Sequence, residues 1–265
     1  MPHNHPSFVS RVLVSAKGKV EIPFSRGSCA LLRYETNGFA SVHVVTAAHV
    51  AQPHRYPNLF PKFAPQFGIL GDRHVRCGIL TQDGDGVRTG ASLCRFRVQR
   101  HPMWDLATLQ LEDESTLGPA ATVIDGVDIR PLGVGDEVDI NGFDVVEDDM
   151  AQGENFRMVP KVLKAKCMAQ YTHQIFGPVV IARVVGQGDV VTGTSGAAVL
   201  GRGGKLVGIV IARVGTDSRM PDGVLNIPGS DIPASEGPSG SWEGCAAFVH
   251  ASNFIEFLRK VERVA

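Results

Sequence analysis

Three short stretches of the chain carry residue types that could act together on an acyl group. In Gly193-Thr194-Ser195-Gly196, glycines on both sides of a serine let the backbone bend sharply and expose the hydroxyl. A serine hydroxyl is a poor nucleophile near neutral pH, so a base must take its proton during attack. His49, at the end of the β-branched run Val44-Val45-Thr46-Ala47-Ala48-His49-Val50, suits that role, since an unperturbed imidazole titrates near ~6.5. The imidazole must be held in one tautomer and its cation stabilised. Asp105 opens the alternating stretch Asp105-Leu106-Ala107-Thr108-Leu109-Gln110-Leu111 and suits that third role, with Leu106 and Leu109 limiting water around it. A tetrahedral oxyanion needs N–H donors aimed at one spot, which a small-residue turn supplies. Each stretch alone reads as an ordinary turn or strand start. All three in one chain, in the order His, Asp, Ser, are far more specific.

Thr46-Ala47-Ala48-His49, Asp105-Leu106-Ala107 and Gly193-Thr194-Ser195-Gly196 resemble the three active-site blocks of trypsin-like serine peptidases, and the cysteine-free surroundings look more like the Deg/HtrA branch than the secreted digestive branch. The resemblance runs from about Gly27 to the C-terminus. It implies an all-β fold of two six-stranded antiparallel β-barrels with a C-terminal α-helix. An N-terminal barrel over residues 1–118 would carry His49 and Asp105, a linker would span 119–135, and a barrel over 136–265 would carry Ser195 and end in a helix at 252–264, with no PDZ domain after it. It further implies hydrolysis of peptide bonds through an acyl-enzyme, with the N–H groups of Gly193 and Ser195 as the oxyanion hole, polypeptides as substrates, and no metal or cofactor.

The chain departs from that pattern in places. Thr194 stands where these enzymes usually have an aspartate, Ala197 and Ala198 follow the serine block, and an Ile-Val-Gly-Gly start is lacking, so activation by N-terminal cleavage is not expected. By resemblance the first specificity pocket would draw on Asp189, six residues before Ser195, on Ile211, Ala212 and Arg213, and on Gly244. Asp189 there would favour Arg or Lys at the cleaved residue. A solvated loop aspartate is an equally good reading, and Arg213 could occlude the pocket or neutralise Asp189. Two further functions stay open: a trypsin-fold binding or scaffolding protein with a blocked cleft, and a viral-type peptidase dedicated to one polyprotein site.

The elements that must position these residues follow from composition and pattern. Glycine (30) and proline (16) are plentiful and helical periodicity is scarce, which points to a turn-rich β protein. Lys and Arg (26) balance Asp and Glu (27), which leaves no footprint for nucleic acid or a membrane surface. The five cysteines, Cys29, Cys77, Cys94, Cys167 and Cys245, form no C-x-x-C pair, and the positions where secreted relatives place cysteines are Val50 and Val191. Reduced, buried thiols and an intracellular, cytoplasmic location are therefore expected, in line with a polar N-terminus lacking an apolar signal core. His3 and His5 read as a solvated terminus and Asp83-Gly84-Asp85-Gly86 as a solvated turn rather than metal sites.

The pattern predicts strands at 8–14, 27–34, 40–46, 74–81, 90–98, 156–170, 179–185, 197–200, 205–213 and 246–250, with a further barrel-opening strand after the Gly133–Gly135 turn. Asn37-Gly38 marks a hairpin turn. His49 should sit on a short helical turn. The Pro-rich segment 53–66 reads either as a lid over loop backbone or as a rim of the cleft. Residues 144–155 and 214–244 read as loops, and Asn253 with Glu256 as a capping box for the last helix, whose apolar face is Phe254, Phe257, Leu258 and Val261.

Overall fold

In the C-terminal half, alternating apolar and polar residues form strands β10 (Glu137–Glu147) and β11 (Phe156–His173), and near-continuous apolar runs form β12 (Gly177–Val184), β13 (Ala198–Leu200), β14 (Leu206–Gly215) and β16 (Ala246–His250), in the computed structural model of the chain. The structure describes residues 7–14, 20–36, 39–82, 88–92, 98–110, 117, 121–147, 156–173, 177–215, 224–226 and 244–261. These six strands run in the order β13-β10-β11-β12-β16-β14, and pairing of β13 with β14 closes them into an antiparallel barrel. Closure removes free sheet edges over the length of β13. A three-residue strand, β15 (Val224–Asn226), joins the far end of β14 in parallel.

The N-terminal half builds two sheets instead. One has the order β2-β1-β5-β6 and uses β1 (Ser7–Val14), β2 (Val20–Ser28), β5 (Val75–Gln82) and β6 (Arg88–Ser92). The other has the order β7-β8-β4-β3-β9 and uses β3 (Ala30–Thr36), β4 (Phe39–Thr46), β7 (Val98–Arg100), β8 (Ala107–Gln110) and β9 (Val123–Asp125). Of the expected pair of closed barrels, the described residues form one closed barrel and, in the N-terminal half, two sheets. No ladder joins the two sheets among the described residues: the chain passes from β2 to β3 through Cys29 alone, and the edge of β3 is taken by β9 in parallel. β9 lies inside the stretch expected as a linker.

Neighbouring residues on one strand serve two cores, as the two-residue period of a strand requires. Val180 and Ala182 of β12 belong to a cluster with Ile140, Leu163, Val199 and Phe248, whereas Val179 and Ile181 join Leu31, Val44, Leu106 and Leu109 of the N-terminal half. The second cluster also takes Phe254, Ile255 and Leu258 from helix α3 (Ala251–Val261). The helix starts before the expected capping box: Asn253 lies in its first turn, and the Ser252 N–H donates to Nδ1 of His250 at 3.3 Å. Residues 144–147, expected in an acidic loop, extend β10, because an eleven-pair ladder with β11 satisfies their backbone. His3, His5, Asp83–Gly86 and Cys94 lie outside the described residues.

Candidate active site

His49 is delivered by the last residues of β4 and the short helix α1 (Ala48–Ala51). Its backbone N–H falls in the first turn, where no intrahelical acceptor exists. Asp105 supplies one: Oδ1 accepts the His49 N–H at 2.8 Å, while Oδ2 lies 2.6 Å from His49 Nδ1. Both residues are buried, at 3% and 4% exposure. A carboxylate only accepts, so Nδ1 carries the proton of this contact. One side chain therefore fixes the position, ring orientation and tautomer of the imidazole.

Asp105 sits on the turn between β7 and β8, and that turn is built by a second histidine. His101 Nδ1 accepts the backbone N–H groups of Met103 and Trp104 at 3.1 and 3.2 Å. Its ring stacks on Trp104 with centroids 4.0 Å apart and meets Phe257 of α3 edge-on at 5.0 Å. Burial, helped by the positive charge of Lys260, pushes the His101 pKa down to about 4, so the imidazole stays a neutral acceptor.

The Pro-rich segment packs beside His49. Tyr56 and Phe60 lie 6.2 and 6.4 Å from its ring, centroid to centroid, and Phe60 and Phe67 bury against Phe24 in a small core of their own. Burial and the Asp105 charge push the Tyr56 phenol pKa up, so the hydroxyl stays protonated beside the carboxylate.

Ser195 comes from a turn made by backbone. Gly193 and Gly196 have φ of 101° and 87°, the left-handed region that side-chain-bearing residues avoid. Gly196 N–H donates to Val210 O of β14 at 2.7 Å, and Ser195 O accepts the Ser28 N–H at 2.7 Å. A Cβ on Gly196 would stand 1.9 Å from Ser28 O and 2.3 Å from Thr46 Oγ1, so the residue after the serine presses on the strand end that carries His49. Thr194, in place of the usual aspartate, spends its hydroxyl inside the turn by accepting the Val191 N–H at 3.2 Å. Ser195 itself is partly exposed.

The residues expected to form a specificity pocket lie on β14, on the segment before β16 and on the loop after β12. Pairing of Arg213 with Ala246, and of Val214 with Cys245 and Gly244, brings the Ile211–Arg213 segment of β14 beside Gly244. Ile211 and Ala212 are buried and Arg213 is partly exposed. Asp189 is exposed on the loop after β12, where its carbonyl accepts from Lys161 Nζ at 2.9 Å. Among the described residues no cluster of three or more His, Cys, Asp or Glu is placed to hold a metal, and no helix is long and apolar enough to cross a membrane.

Comparison with solved structures gives neuropsin, a serine protease of the mouse brain, at TM-score 0.54 and 16% identity, over 99% of this chain and 96% of that one. The fold is that of trypsin-like serine peptidases. The HtrA-type protease AlgW, in a serine-to-alanine form bound to a decapeptide, matches this trypsin-like fold at TM-score 0.54 and 13% identity, over 99% of this chain and 64% of that one. The same protease with a tripeptide matches at 0.51 and 14%, over 98% and 61%, so the chain spans less than two thirds of AlgW. No protein-family model matches the sequence, and no curated protein matches it.

Ser28, Tyr56 and His101 support the site, and the residue pattern did not mark them as such. The Gly193 partner of Ser28 lies 165 positions away, which local spacing does not encode.

Proposed function

We propose that the chain is a serine endopeptidase with polypeptide substrates. The observation that carries the reading is the buried His49–Asp105 pair, held at 2.6 Å on a trypsin-like fold whose glycine-flanked serine turn presses on the same strand end. In this reading His49 Nε2 takes the Ser195 proton as Oγ attacks the scissile carbonyl carbon. The carbonyl π pair moves onto oxygen, which the N–H groups of Gly193 and Ser195 receive. The tetrahedral intermediate collapses as imidazolium returns the proton to the leaving amine, giving an acyl-enzyme. Water then attacks with His49 as base, the second intermediate expels Ser195, and Oγ regains its proton from His49.

The finer architecture belongs to the same proposal. The N-terminal half stands for the first six-stranded barrel over residues 1–118, a linker covers 119–135, and the second barrel covers 136–265. Four buried thiols in no disulfide among the described residues favour a reducing, cytoplasmic setting.

The decisive experiment is covalent labelling with a peptidyl phosphonate, paired with peptide hydrolysis by wild type and Ser195→Ala. The expected result is one label per chain on Ser195 and a fall in turnover of about a million-fold in the folded variant. A folded wild type that neither labels nor cleaves a diverse peptide library is a binding protein. The same library decides Asp189. An Arg or Lys preference that Asp189→Ser removes assigns it to the pocket, and an apolar preference that survives Asp189→Ser assigns it to the exposed loop.

A further inference from the structure

Ser28, at the end of β2, is fully buried and uses every hydrogen-bonding group it has. Its hydroxyl donates to the carbonyl of Gly193 at 2.7 Å and accepts the Phe143 N–H of β10 at 2.9 Å. Its backbone N–H donates to Ser195 O, and its carbonyl accepts the Thr46 hydroxyl, each at 2.7 Å. One residue of the N-terminal half thus bonds to both sides of the serine turn, to the barrel wall and to the strand that carries His49. The packing beside the hydroxyl is tight: a Cβ on Gly142 would stand 2.8 Å from Ser28 Oγ.

The bond to Gly193 matters because of what that glycine is free to do. Without a Cβ it can rotate its flanking peptides at little steric cost. Its own N–H belongs to the peptide whose carbonyl is Thr192 O, and Val145 N–H holds that carbonyl at 3.1 Å. In a planar trans peptide the N–H points opposite to the C=O, so fixing Thr192 O fixes the direction of the Gly193 N–H. The next peptide is held through Gly193 O by Ser28. Both planes that meet at Gly193 are therefore tied down, one by a main-chain group of β10 and one by a side chain from the other half.

We propose that Ser28 is a positioning residue: its hydroxyl latches the Gly193–Thr194 peptide, so that, with Thr192 O held by Val145, Gly193 cannot turn and its N–H stays aimed where the oxyanion develops. The proposal rests on the serine-peptidase reading. Ser28 touches no substrate and acts through Gly193. A donor that wanders from its mark loses most where negative charge is greatest, in the transition state, and little in the bound substrate.

The test compares wild type with Ser28→Ala and with the nearly isosteric Ser28→Cys, whose thiol is a weaker donor. Ser28→Ala should lower kcat by about 10–100-fold with KM within about two-fold, and Ser28→Cys should fall between it and wild type. A peptide boronic acid bonds to Ser195 Oγ and places an oxygen at the oxyanion position, so its affinity should weaken by the same factor as kcat/KM. An uncleaved peptide bound to the Ser195→Ala background should not respond to Ser28→Ala. A merely structural role predicts the reverse: weaker binding of peptide and boronate alike, or a lower melting temperature with kcat unchanged. Either result overturns the latch, and if Ser28→Ala does not fold, Ser28→Cys carries the same comparison. A folded wild type that fails to react with the phosphonate overturns the peptidase reading and the latch together. A wild type that reacts no faster than Ser28→Ala overturns the latch alone.

Discussion

The two turns that meet at the site are built by opposite means. The serine turn is a main-chain construction: left-handed glycines at 193 and 196, and carbonyls and N–H groups bonded to β2, β10 and β14. The aspartate turn is a side-chain construction: an imidazole collects two N–H groups and is clamped between Trp104 and a helix from the other half. A turn made of backbone tolerates almost no added atom but is indifferent to pH. A turn made around a histidine tolerates changes of shape better than changes of protonation.

The largest effect should come from the point where the two turns are linked chemically. Asp105→Asn keeps the volume but turns the acceptor facing Nδ1 into an amide that can donate, which favours the wrong imidazole tautomer. A loss of kcat on the order of 10⁴-fold is expected with the fold intact, measured by steady-state kinetics alongside circular dichroism. Next, Gly196→Ala should cost at least about 3 kcal/mol in urea denaturation, from the left-handed φ and from the overlap with Ser28 O. A variant as stable as wild type would refute the main-chain account of the serine turn.

His101→Phe keeps the stack on Trp104 and removes the acceptor, leaving two N–H groups without a partner. About 2 kcal/mol of stability should be lost, together with part of kcat, because Asp105 drifts. The pH dependence sharpens the same contrast. The folded-state pKa of His101 is near 4, against 6.5 for the free side chain, and burial lowers those of His54 and His250 as well. Between those limits the unfolded chain binds protons that the folded protein refuses. Stability should therefore be full above pH ~6.5 and fall as pH drops toward ~4. Melting temperatures at pH 7.5 and 4.5 check the sign, and the slope should flatten in His101→Phe. The smallest effect belongs to a charge pair remote from both turns: Arg33→Ala, which removes the exposed bond to Asp125, should change stability by less than about 1 kcal/mol.

Much of this organisation was legible in the residue pattern. The β-branched run before His49 is β4, the alternation after Asp105 is β8, and the small residues at 193–196 do form a sharp turn. These are local properties of neighbouring residues. β2 and β9 escaped because a strand with irregular alternation and a three-residue strand gain their stability from distant partners. The division of the described N-terminal residues into two sheets has the same cause, since sheet pairing joins segments far apart in sequence. Ser28 is the sharpest case. Gly27-Ser28-Cys29 reads as an ordinary strand end, and its importance arises only when Phe143 and Gly193, 115 and 165 positions away, arrive at its hydroxyl. Asp189 is exposed, and the sequence offset that suggested a pocket carboxylate is left to the peptide library to decide.

The buried thiols turn this two-part construction into something that can be timed. Cys29 and Cys77 lie in the N-terminal half and Cys167 and Cys245 in the barrel, each at most 5% exposed. A thiol so covered reacts with an alkylating reagent only when its surroundings open, so its labelling rate reads the local opening free energy. In a Cys94→Ser background, mass spectrometry of alkylated peptides would follow the two halves separately under native conditions. Equal rates at all four positions would mean that the two sheets and the closed barrel come apart as one unit. Faster labelling at Cys29 and Cys77 would mean that the half holding the histidine opens while the half holding the serine stays shut.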